Sequence, residues 1–155
     1  MLNRSIFPRI YRPEVFQGRK KPAKYFEGWY MKLVDGAGDQ VWAFIPGVSY
    51  SADTHCFIQV IHANSGKTWY LRFPVQDFKS SRRIFHTAIG FNHFSSAGLN
   101  LDLGLPDLKV SGKLIFENPQ PFPATFLSPG IMGWYSYAPM MECYHGVVSL
   151  RHRLS

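Results

Sequence analysis

His55–Phe73 reads HCFIQVIHANSGKTWYLRF, and the fold class turns on this stretch. Its first eight residues are rich in β-branched and aromatic side chains, and Asn64-Ser65-Gly66 supplies turn chemistry. Lys67–Phe73 then returns with the same character. The reading is a hairpin of two antiparallel strands, His55–His62 and Lys67–Phe73, closed by Pro74, which has no N–H to give to a ladder.

The same logic extends in both directions. Upstream, Tyr25–Val34 (YFEGWYMKLV) is strand-like, residues 35–39 (DGAGD) have hairpin-turn composition, and Gln40–Phe44 returns. Pro46-Gly47 is expected to end that returning strand. Downstream, Val75–Arg83 is expected to hold a short helical turn. Phe85–Gly90, Phe91–Phe94, Leu99–Leu103 and Leu108–Phe116 then follow as short strands bounded by Gly, Asn, Asp or Pro. Leu99-Asn100-Leu101-Asp102-Leu103 alternates with period two, one face apolar and one wet. Asn118–Pro129 contains four prolines and is expected to be a connector covering apolar surface. Met141–Leu150 reads as a further strand, with Glu142, Tyr144, Gly146 and Val148 on one face and Cys143, His145 and Val147 on the other. Regular spacing of short strands makes this an all-β, antiparallel meander.

Bulk composition agrees. Among 155 residues, 16% are aromatic and Gly and Pro number 13 and 11, favouring short strands and tight turns over long helices. This length is one domain by its size. The net charge is +7, and eight Lys/Arg against two acids through Lys32 place +6 of it at the N-terminus. Residues 1–24 therefore read as a basic, proline-containing arm, and residues 25–155 as the β-domain. The arm is either a solvated surface or an electrostatic contact for an anionic membrane. Basic and aromatic residues are not interleaved as a nucleic-acid stacking platform would require, so no nucleic-acid partner is expected. Two cysteines, Cys56 and Cys143, make no disulfide framework, and Met1–Phe16 lacks the apolar core of a signal peptide. With no apolar run long enough to span a bilayer, the expected location is the cytoplasm, with membrane contact only peripheral.

Two places resist explanation by folding alone. Gly28-Trp29-Tyr30 and Gly133-Trp134-Tyr135 each put a glycine beside a Trp-Tyr pair, and Glu27 and Glu142 stand as carboxylates within apolar, aromatic runs. Such a carboxylate must be paired, hydrogen-bonded or shifted in its protonation. A set built from His55, Cys56, Cys143 and His145 is a poor metal site, because adjacent strand residues face opposite ways and no CxxC or HExxH spacing is present. No glycine-rich phosphate loop follows a strand and opens a helix. Neither a metal nor a cofactor is expected.

YFEGWYMK at residues 25–32 and SPGIMGWYSYAPMMECYHGVVSL at residues 128–150, with AFIPGVS and FIQVIHANSGKTWYLRFP between them, resemble the tocopherol cyclase family. The likeness spans Lys24 to His152. It implies an antiparallel lipocalin-like (calycin-type) barrel or half-barrel, and an isomerase that closes a prenylated benzoquinol to a chromanol without a redox cofactor. Family members run longer, so the chain is expected to be the N-terminal part of a larger architecture, incomplete at its C-terminus. An incomplete barrel leaves an open sheet edge through which copies can associate.

Chromanol closure needs an acid to protonate an alkene, a group to accept the phenol proton, and a dry pocket. Glu27, Glu142 and His145 are the catalytic candidates, either glutamate as the acid, since burial keeps a carboxyl protonated, and His145 for proton exchange. Trp29, Tyr30, Trp134, Tyr135, Tyr137 and Tyr144 are candidates to line an apolar pocket for a prenylated quinol or other isoprenoid, their ring faces steadying a developing cation. Each has a plainer alternative. Either Glu can be an anchor for turn amides or an arginine, His145 can be a packed or surface histidine, and the rings can be core. A non-catalytic lipid carrier and an inactive fragment remain the competing functions.

Overall fold

The computed structural model describes residues 14–18, 24–121, 123, 125–128, 134, 147–148 and 151–154. They form an all-β structure. A five-stranded sheet contains β1 (Tyr25–Gly28), β2 (Met31–Val34), β3 (Val41–Tyr50), β4 (His55–His62) and β5 (Lys67–Phe73). After a 3-10 turn at Val75–Asp77, a six-stranded sheet is built from β6 (Phe78–Ser80), β7 (His86–Ile89), β8 (Asn92–Ser95), β9 (Gly98–Gly104) and β10 (Lys109–Glu117). A short ladder then joins β11 (Gln120–Pro121) to β12 (Val147–Val148), and β13 (Arg151–Leu154) completes the larger sheet beside β10. Every pairing is antiparallel. Among the described residues both main sheets are open, and no ladder closes them into a barrel.

The sheets face each other across one core. The first contributes Phe44, Val48, Cys56, Ile58 and Val60, and the second Ile89, Phe94, Leu99, Leu101 and Leu103. Burial of each such Val, Leu, Ile or Phe side chain contributes about 1.5–3 kcal/mol, and this burial is the main tie between the layers. Polar groups caught inside are satisfied. Asn92 donates to the Ile89 carbonyl at 3.2 Å and accepts from the Asp102 N–H at 2.8 Å, while Thr87 shares a hydrogen bond with Ser80 at 2.9 Å.

The hairpin at His55–Phe73 forms with the bounds that its composition indicates. The strands expected between Phe85 and Phe116 form within a residue or two of their expected bounds, and the β9 alternation places leucines inward and Asn100 and Asp102 outward. One expectation is corrected: Pro46-Gly47 does not end β3, which runs through it to Tyr50. The Trp29 N–H donates to the Pro46 carbonyl at 3.0 Å, so the backbone polar edge of Pro46 points toward β1 and β2 and away from β4. The β4 ladder therefore loses nothing, and the missing N–H falls opposite Trp29, where β1 and β2 separate while keeping one register. The strand expected over Tyr25–Val34 is thus two collinear pieces along β3. β6 was not anticipated; it is three residues long, below what pattern reading resolves.

Gly47 meets a packing demand rather than a turn. A Cβ there would stand 2.3 Å from the Phe57 ring and 2.8 Å from the Glu27 carbonyl oxygen. The bare backbone lets the ring of β4 lie across β3.

Candidate functional site

Alternation along β1 and β2 sends Tyr25, Glu27, Trp29, Met31 and Leu33 inward against the core, and Phe26, Tyr30 and Lys32 outward. Trp29 and Tyr30, adjacent in sequence, consequently stand on opposite faces. Tyr25 and Glu27, two residues apart, stand side by side. The Tyr25 hydroxyl donates a short hydrogen bond to Glu27 Oε2.

The Glu27 carboxylate has further donors. The Gln17 N–H lies 3.0 and 3.1 Å from its two oxygens, and the Gly18 N–H lies 3.1 Å from Oε2. These contacts belong to a segment, residues 14–18, that spans the gap between the sheets. Trp29 Nε1–H donates to the Glu14 carbonyl at 2.8 Å, Arg82 donates to the Gly18 carbonyl, and the Phe16 N–H donates to the Ser81 carbonyl at 3.4 Å. Val15 and Phe16 are buried. The expectation of an arm over residues 1–24 therefore has a defined inner part, which the carboxylate of β1 and the loop between β6 and β7 hold from either side.

Rings surround this anchor. Phe16 packs against Tyr25, Trp29 and Phe78 with centroids 6.5, 6.4 and 5.3 Å away, and the Arg82 guanidinium lies 6.0 Å above its ring. Trp29 continues the contact to Phe85 at 5.8 Å, and Tyr50 stands opposite Tyr25 at 6.4 Å. Burial first, then the nearby Cys56 and Glu27, pushes the Tyr50 phenol above its ordinary value. The neighbouring Cys56 is buried, donates to the Pro74 carbonyl at 3.1 Å, and is pushed up to about 11 by burial and then by Asp77. It is therefore a neutral thiol at physiological pH and a poor nucleophile.

The opposite end of the same inward face is closed differently. Trp42 stacks on His62 at 4.3 Å and lies near Trp69 at 6.3 Å. Trp69 Nε1–H and Lys67 Nζ both reach Asp107 of the β9–β10 loop, at 2.9 and 2.6 Å, tying the first sheet to the second.

Of the candidates, Glu27 and Trp29 are brought together at the Phe16 end, Tyr30 is outward and exposed, and Trp134 is exposed. Glu142, His145, Tyr135, Tyr137 and Tyr144 lie outside the described residues. Phe16, Tyr25, Tyr50, Phe78 and Arg82 also belong to the site. Only Tyr25 carried a signal in the sequence, the i, i+2 relation to Glu27 on a strand; the others arrive from distant segments. Among the described residues no three His, Cys, Asp or Glu side chains gather as a metal site, and His55 and Cys56 point to opposite faces of β4. No helix among them is long and apolar enough to cross a membrane. What the arrangement offers is a phenol hydrogen-bonded to a half-buried carboxylate beside a cluster of packed rings. No family model, curated protein or solved structure matches the chain.

Proposed function

We propose that the two sheets are part of a lipocalin-like (calycin-type) ligand-binding domain, and that the chain acts as a tocopherol cyclase-like isomerase on a prenylated quinol. The observation that carries this reading is the Glu27 carboxylate, hydrogen-bonded to the Tyr25 phenol beside the packed rings of Phe16, Trp29 and Tyr50. In the proposed reaction the substrate phenol loses its proton to Glu27, directly or through Tyr25. The phenol oxygen bonds to the tertiary alkene carbon, and an acid delivers one proton to the other alkene carbon. Protons balance and no electron is exchanged, so no redox cofactor enters. Each donor on Glu27 stabilises negative charge there, which leaves the carboxylate unprotonated and open to a proton while weakening it as a base. Glu142 and His145 are the proposed sources of the alkene proton.

The test is incubation of the chain with a prenylated benzoquinol and detection of the chromanol. Glu27→Gln is expected to lower turnover by about a hundredfold or more, the usual scale of a lost general base, while the fold is retained. Unchanged turnover in that variant overturns the role given to Glu27.

A second reading is favoured by the Gln17 and Gly18 amides, which already occupy the carboxylate. Here Glu27 anchors residues 14–18, and the domain carries an isoprenoid without transforming it. Saturable quinol binding with no chromanol, and a lowered unfolding midpoint in Glu27→Gln, would select this reading.

A further inference from the structure

The histidines whose side chains are described fall into two kinds. His55 uses both ring nitrogens, on the Asp53 carbonyl at 2.8 Å and the Tyr70 hydroxyl at 2.9 Å, and His62 uses both, on Ser65 at 2.8 Å and Gln40 at 3.2 Å. The rings of His86 and His93 make no hydrogen bond to any described residue. These two stand side by side on the outward face of the second sheet, because Thr87, Ile89 and Phe94 of β7 and β8 take the inward positions. In the ladder His86 lies opposite Ser95 and His93 opposite Ala88, so the histidines are diagonal neighbours, their ring centroids 5.7 Å apart and their planes at 43°. Ala88 points outward yet is only 6% exposed, so the side chains that flank it stand over its methyl. His93 is exposed and His86 half-buried, which leaves the pair open to solvent on one side.

We infer that His86 and His93 together hold a divalent transition-metal ion of the zinc class, clipping β7 to β8. The inference is independent of the ligand proposed for the inward site. A neutral imidazole offers one nitrogen lone pair, and nitrogen pairs of this kind suit zinc, nickel or copper, whereas magnesium and calcium require carboxylate and carbonyl oxygens. Geometry agrees. Two rings that share a zinc ion at about 2.0–2.1 Å, at the tetrahedral angle, have centroids roughly 5 Å apart, so the pair needs to close by only about half an ångström. Asn100, opposite His93, puts a further amide on the same face. Lys79 and Lys113 end the row that runs through His93, each two strands away from it, about 9–10 Å of backbone spacing, so no ammonium stands against the ion. Two protein ligands leave coordination positions to water, which makes the ion exchangeable rather than a condition of folding.

Titration of the full chain with zinc ions, in competition with a colorimetric zinc indicator, tests this. His86→Ala and His93→Gln are each expected to lower the affinity of a zinc ion about tenfold or more, a loss that even an outer partner of a metal ligand commands. His62→Ala is expected to leave it unchanged. In proton–nitrogen spectra of the imidazoles, zinc is expected to move the His86 and His93 ring signals together and not those of His55 and His62. It is also expected to raise the unfolding midpoint of the parent and not of His93→Gln, since an ion that binds only the folded pair stabilises it by mass action. His93→Gln, at an exposed position, keeps the test valid if His86→Ala does not fold. The inference is overturned if both variants bind zinc as tightly as the parent, or if the parent binds none below about a millimolar. Zinc that binds only by pairing two chains overturns it as well.

Discussion

The outward faces of the two sheets differ in kind. On the second sheet, outward positions hold Lys79, His93, Asn100, Asp102, Lys109, Ser111 and Lys113, so each strand reads as wet on one side. On the first, Phe26, Tyr30, Ile45, Phe57, Ile61 and Tyr70 stand among Lys32, Ser49, His55, Gln59, Thr68 and Arg72, so large apolar side chains share that face with polar ones. Phe26, Phe57 and Tyr70 form an aromatic row across β1, β4 and β5, with centroid spacings of 5.6 and 5.0 Å, and Phe57 within it is only 2% exposed. A sheet wet on one face alternates in sequence, and a sheet apolar on both does not. HCFIQVIH and GLNLDLG are both strands of antiparallel sheets, yet only the second announces its inward side. The lesson is that loss of alternation in a short strand reports apolar residues on both faces, and not the absence of an inside.

Two glycines test the contrast most severely, one on each outward face. Gly98→Ala would set a Cβ 2.0 Å from the Leu114 carbonyl oxygen at a φ of 148°. With strain and overpacking together it is expected to destabilise by about 4 kcal/mol in urea unfolding. Gly47→Ala presses on the Phe57 ring as well as the Glu27 carbonyl and is expected to cost about 2–3 kcal/mol, since a ring can shift where a β-ladder cannot. If the order reverses, the aromatic row is the more rigid of the two.

Next comes the row itself. Phe57→Ala is expected to cost about 3 kcal/mol, a core-like value for an outward residue, and Phe26→Ala less than about 1 kcal/mol. Equal small losses at both positions would make the first sheet's outward face ordinary surface.

A smaller effect separates the two faces of β4. The thiol of Cys56, inward and next to Phe57, is raised from 9.0 to about 11, so the folded state holds its proton more tightly than the unfolded chain. That contribution is complete below pH 9.0 and is lost as pH rises toward 11. The urea midpoint is therefore expected to fall across this window, and Cys56→Ala to remove that part of the slope.

The smallest effect is at the tie between the sheets. Lys67, first, and then Trp69 hold the Asp107 carboxyl below its ordinary value, so its contribution is present above pH 3.8 and fades as pH falls through the lower folded value. Because this pair is exposed, Asp107→Asn is expected to shift the unfolding midpoint only slightly, by an amount that salt erases, while changing Trp69 fluorescence.

Legibility followed the range of the interactions. Turn composition at Asn64-Ser65-Gly66 and the leucines of β9 act within a few residues, so hairpins and inward faces were readable there. Glu27 stood out as a carboxylate among rings. Its donors, from residues 17 and 18, and its ring neighbours Phe16 and Tyr50 were not legible, because no local pattern links them to β1.

By itself the sequence determined the strand class, most strand bounds and the position of the buried leucines, since side-chain period and turn propensity are local properties of the chain. Only the tertiary structure decided that Pro46 continues a central strand, that Trp29 and Tyr30 part to opposite faces, and that Phe57 is buried on an outward surface. Each of these depends on which neighbour a backbone edge or a ring meets, and that neighbour comes from a segment whose distance along the chain carries no information about its distance in space.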